Sequence, residues 1–108
     1  MMNLPATIEG FVQAQNEQDS TRFSHYFTAN ATVADEGHTY SGRDEIREWI
    51  QRATEKYQMQ AKPIEYQQSG GSALLTVEVT GTFPGSPAVM QYHLELDDSL
   101  ISSLRFTG

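Results

Sequence analysis

The sequence predicts an α+β domain in which helices come first and a run of antiparallel hairpins follows. Apolar residues recur at helical spacing as far as Tyr57, and from residue 60 onward they alternate with polar ones. The order is broken once, by a short β-type stretch between the second and third helical segments. With 108 residues the chain can bury one sizeable core and not two, so residues 1–108 are read as a single domain.

Leu4, Ile8, Phe11, Val12 and Gln15 fall at i, i+4, i+7, i+8 and i+11. This gives a first amphipathic helix over about 4–16, with Asn3 available as N-cap and Pro5 tolerated in the first turn. After the polar break Asn16-Glu17-Gln18-Asp19, a short helix over about 20–28 presents Phe23, Tyr26 and Phe27 on one side, capped by Ser20 or Asp19. Ala31-Thr32-Val33-Ala34-Asp35-Glu36 alternates as a strand and stops at Gly37. Its parity puts Asp35 on the face of Ala31 and Val33, so a carboxylate is predicted on the inward side. Ser41-Gly42-Arg43-Asp44 has capping-box form and opens a third helix over about 43–57, whose Ile46, Trp49, Ile50, Ala53 and Tyr57 share a face. Strands follow over about 60–68, 73–83, 88–96 and 100–106. The breaks between them, Gly70-Gly71, Pro84-Gly85-Ser86-Pro87 and Asp97-Asp98-Ser99, are turn chemistry, which makes a meander.

Alternation assigns faces. Leu75, Val77, Val79 and Phe83 point inward in one strand, and Met90, Tyr92, Leu94 and Leu96 in the next. The opposite face carries Thr76, Thr80, Gln91 and His93 with Val89 and Ile101. That mixture suits a homodimer contact through the outer face of the sheet better than open solvent.

Seven basic residues against fourteen acidic ones give a net charge of −7, which repels nucleic acid and anionic membrane surfaces. Arg43, Arg47, Arg52, Lys56 and Lys62 lie in one stretch, but Asp44, Glu45, Glu48 and Glu55 interleave with them as a solvated helix face. There is no cysteine, so disulfides and thiolate chemistry are excluded. No apolar run has membrane-spanning length and the N-terminus lacks signal-peptide form, so a cytoplasmic location is expected. His25, His38 and His93 have no metal-ligand spacing, and no metal is expected. His38 follows Asp35 closely, as a surface-loop histidine or a proton shuttle.

The block Phe27-Thr28-Ala29-Asn30-Ala31-Thr32-Val33-Ala34-Asp35, followed by Tyr40-Ser41-Gly42-Arg43-Asp44-Glu45-Ile46-Arg47-Glu48-Trp49, resembles the signature stretch of the nuclear transport factor 2-like, SnoaL-like polyketide cyclase and ketosteroid isomerase-like superfamily. The resemblance implies a cystatin-like, cone-shaped α+β barrel: three N-terminal helices packed on a curved, mostly antiparallel sheet around a pocket. It also implies a cofactor-independent site for a small apolar molecule, and homodimers paired through the outer sheet face. By the same match the general base falls on Asp35 and a hydrogen-bond donor on Tyr92, while the family's helical tyrosine falls on Phe11, which has no proton to give. Phe11, Trp49, Leu75, Val77, Val79 and Met90 are the expected ligand-binding wall. Two readings stay open: proton transfer on a small apolar carbonyl compound, and a non-catalytic ligand-binding or dimerisation module. Asp35 is also good turn chemistry in Asp-Glu-Gly, and Tyr92 suits a core tyrosine with a satisfied hydroxyl.

Overall fold

The computed structural model describes residues 4–35 and 37–107. Helix α1, Ala6–Asn16, begins behind Pro5 with no side-chain cap; the Asn3 cap and Glu36 lie outside the described residues. Helix α2, Ser20–His25, is capped by Asp19, whose Oδ1 accepts the Arg22 N–H at 3.0 Å. It is shorter than its spacing predicts because the Tyr26 carbonyl is taken by the N–H of Ile101 at 2.9 Å, and Phe27 already opens strand β1, Phe27–Asp35.

Strand β2, His38–Ser41, returns antiparallel along β1 and places His38 opposite Asp35. Four residues with one large apolar side chain, Tyr40, carry too little alternation to be read as a strand. Gly42 then takes φ +84°, a conformation that favours glycine, and starts helix α3, Gly42–Tyr57. The expected capping box does not form: the Ser41 side chain makes no cap bond, its N–H donates to Glu45 at 2.9 Å, and the shorter Asp44 pairs with Arg47 at 3.5 Å.

The remaining strands are β3 (Gln60–Ser69), β4 (Ser72–Thr80), β5 (Ala88–Asp97) and β6 (Leu100–Thr107). With β1 and β2 they form one open six-stranded sheet in the order β2-β1-β6-β5-β4-β3. All neighbours are antiparallel except β1 and β6, which run parallel, so the sheet is mixed. Register shifts at Phe27/Thr32, Pro63/Glu65 and Glu95/Leu96 give it curvature.

Two strand predictions need correction. β4 ends at Thr80 rather than 83, because the Thr82 N–H leaves the sheet to bond the Tyr57 carbonyl at 2.7 Å. A Cβ on Gly81 would come 2.5 Å from that carbonyl, so glycine is required for the approach. In β6, Leu96 pairs with Ile101 and Glu95 with Ser103, which leaves Ser102 as an extra residue and reverses the parity. Ile101 is therefore fully buried instead of facing outward.

The core includes Ile8, Phe11, Phe23, Phe27, Val33 and Leu75. Phe11, Phe23 and Phe27 form an aromatic triangle with centroid separations of 4.9, 5.3 and 5.9 Å. Each fully buried ring contributes on the order of 1.5–3 kcal/mol. Among the described residues no helix is long and apolar enough to cross a membrane.

Candidate active site

Asp35 is the last residue of β1, on the inner side with the buried Ala31 and Val33 and itself half-buried. Its Oδ2 accepts the indole N–H of Trp49 from α3 at 3.1 Å. The Trp49 ring is held by Tyr40 and Phe106, each with its centroid 5.8 Å away, and by Phe23 at 6.2 Å. The strand end supplies the carboxylate and the helix orients it.

Tyr92 stands on the inner face of β5, edge-on to Phe106 at 4.8 Å and to Phe11 at 6.2 Å. Its hydroxyl pairs with the side-chain amide of Gln15 on α1, which donates Nε2–H to the phenol oxygen across 3.2 Å. Burial pushes the Tyr92 phenol up from its ordinary 10.0 to about 12; the Gln15 bond opposes that rise and the Asp35 charge adds to it. The Tyr92 phenol is thus neutral at physiological pH. The partner of its hydroxyl is Gln15 rather than Asp35.

Asp35, Tyr92 and Gln15 all line one cavity of about 380 Å3, together with Phe11, Trp49, Val79 and Met90. Tyr57, Met59, Phe83 and Pro84 complete the wall beside the α3 end. Two of the residues expected there, Leu75 and Val77, are absent from the lining and lie wholly inside the packed core. Parity selected the correct face for them, but the hollow opens farther along β4, at Val79. No lysine, arginine or histidine lines the cavity among the described residues.

The histidines lie elsewhere. His25 and His38 are exposed. His93 is on the outer face, 2.8 Å from Thr107 Oγ1, with its pKa lowered by burial and by Arg105. Among the described residues, no three histidine, aspartate or glutamate side chains gather in an arrangement that could hold a metal ion.

Sequence reasoning missed Gln15 as a site residue, although a polar side chain one turn beyond Phe11 on an apolar stripe was the available signal. The Trp49 to Asp35 bond had no signal in either residue's local pattern.

The SnoaL-like domain family matches residues 8–106 of the chain. Among solved structures, a candidate polyketide cyclase of Sinorhizobium meliloti is 31% identical, superposes with a TM-score of 0.92, and covers 96% of this chain and 95% of its own. A protein of Catenulispora acidiphila with a ketosteroid isomerase-like fold, solved in complex with trimethylamine, is 18% identical with a TM-score of 0.88, covering 98% and 87%. An NTF2-like protein of Cytophaga hutchinsonii is 14% identical with a TM-score of 0.78, covering 99% and 93%. No curated protein matches this chain.

Proposed function

The chain belongs to the SnoaL-like domain family, and on that premise we propose that its curved sheet and helices form a cone-shaped pocket for a small apolar carbonyl compound, with Asp35 as general base. The carrying observation is that the Asp35 carboxylate and the buried Tyr92 phenol line the same apolar cavity. The Asp35 carboxylate takes a proton from the carbon next to the carbonyl, and the C–H electron pair moves toward the carbonyl oxygen. Tyr92 donates a hydrogen bond to that oxygen, where the negative charge collects, and Asp35 returns the proton to carbon. No metal or organic cofactor takes part in this step. The likeness to a candidate polyketide cyclase supports the same substrate class.

The test is hydrogen–deuterium exchange at the methyl group of acetophenone in D2O, followed by NMR. The protein is expected to accelerate exchange, and Asp35→Asn to abolish the acceleration with the fold intact. An Asp35→Asn variant that retains the full rate removes Asp35 from the chemistry.

A non-catalytic ligand-binding module is the second reading. It is favoured by the Trp49 N–H on Asp35, a hydrogen bond that a carboxylate with a purely structural role also makes. Pairing of two copies through the outer face belongs to either reading. Val89, 55% exposed beside Gln91 and Thr76, supports it, whereas Ile101 is buried and takes no part. Light scattering at micromolar concentration is expected to give a dimer mass; a monomer mass removes this part of the proposal.

A further inference from the structure

Gln15 and Tyr92 are both nearly inaccessible to solvent, 4% and 3% exposed, yet both line the cavity. Two hydrogen bonds between them are geometrically available, and they are not equal. The amide Nε2–H to the phenol oxygen spans 3.2 Å, while the phenol O–H to Oε1 spans 3.5 Å. An O–H donor normally works at about 2.7–2.8 Å, so Gln15 is the better donor and a poor acceptor for this hydroxyl. The bond received at the phenol oxygen is the shorter, and the bond its proton makes to Oε1 is the weaker one to give up.

We propose that Gln15 is a positioning residue: by donating to the Tyr92 oxygen it turns the phenol proton into the cavity, toward the carbonyl oxygen of the bound ligand. This rests on the reading of Tyr92 as the donor of the site. The Tyr92 ring is fixed edge-on to both Phe106 and Phe11, at interplanar angles of 86° and 73°. Rotation of the O–H about its own C–O bond is then the main freedom left, and Gln15 sets it. A donor bond received at the oxygen also polarises the phenol and strengthens the hydrogen bond that its proton makes.

The experiment uses two probes of nearly the same shape, acetophenone labelled with 13C at the carbonyl and ethylbenzene, which has no oxygen. In the unaltered protein at pH 8 the bound carbonyl carbon is expected to move downfield, as it does on accepting a hydrogen bond. Tyr92→Phe is expected to remove that displacement, and Gln15→Leu to remove half of it or more. Gln15→Glu, whose carboxylate only accepts, should draw the phenol proton back and remove all of it. Ethylbenzene is expected to bind the unaltered protein and so reports the cavity itself, since it has no oxygen to accept a hydrogen bond. Gln15→Met replaces Gln15→Leu if the latter fails to fold.

A full downfield displacement in both Gln15 variants overturns the proposal while leaving Tyr92 as donor. A displacement that survives Tyr92→Phe overturns the reading of Tyr92 and this proposal with it. Failure of ethylbenzene to bind the unaltered protein overturns the cavity reading from which both start.

Discussion

Two ends of the same strands teach different lessons. On β4, Leu75, Val77 and Val79 share one parity and are all buried, but only Val79 borders empty space. On β5, Leu94 is enclosed in the core while Met90, four residues earlier on the same face, borders the cavity. Alternation decides which side of a sheet a residue faces. Whether that side is filled depends on which side chains stand across from it. Phe27 and Ile101, fully buried and absent from the cavity lining, belong to the filled part, while Tyr57, Met59 and Phe83 surround a gap.

The largest test of this contrast is truncation at each end. Phe27→Ala removes a fully buried ring and should cost about 3–5 kcal/mol, read as a lower urea midpoint. Met90→Ala enlarges a hollow already present and should cost at least about 2 kcal/mol less. Equal losses would mean that the two ends are packed alike.

Next in size is an alkaline effect carried by Tyr92. Its folded pKa is raised to about 12 from 10.0, so the unfolded chain loses this proton first. The stabilisation is fully present below pH 10 and is lost as pH rises from there toward 12, by on the order of 2–3 kcal/mol. Tyr92→Phe should flatten this part of the stability–pH curve, measured by urea unfolding between pH 9 and 12 relative to the unaltered protein.

A smaller effect concerns ligand charge. The cavity has one carboxylate and no basic side chain among its described lining residues. Benzoate should therefore bind at least about tenfold more weakly than benzaldehyde, and Asp35→Asn should narrow the gap, by titration calorimetry. Equal affinities would show that the Asp35 charge is not felt inside. The smallest expected change in stability comes from Val79→Leu, which adds one methylene where there is room. It should change the unfolding free energy, read from urea titration, by less than about 1 kcal/mol and weaken ethylbenzene binding.

The contrast also explains what was legible in the sequence. Helical spacing located α1 and α3, turn chemistry located the breaks between β3, β4, β5 and β6, and parity put Asp35 and Tyr92 on the inner face. These signals are local, and periodicity records them directly. What escaped depends on pairing between distant segments. The end of α2 is set by Ile101, the end of β4 by the Tyr57 carbonyl, and the orientation of Ile101 by one extra residue opposite β5. Trp49 was legible as a wall residue, but not as the donor to a carboxylate fourteen positions earlier. Gln15 sat in plain view on an apolar stripe, and its role became visible only with Tyr92 across from it.

The parallel pairing of β1 with β6 also has a consequence in time. Val33 lies beside Leu104, and Ala34 beside Arg105, so the strand that carries Asp35 gains its inner neighbour only when the final strand has been made. Contacts of such long separation form late, because a large loop must close before they reward the chain. The site is therefore complete only once β6 lies between β1 and β5 and brings Phe106 against both Trp49 and Tyr92.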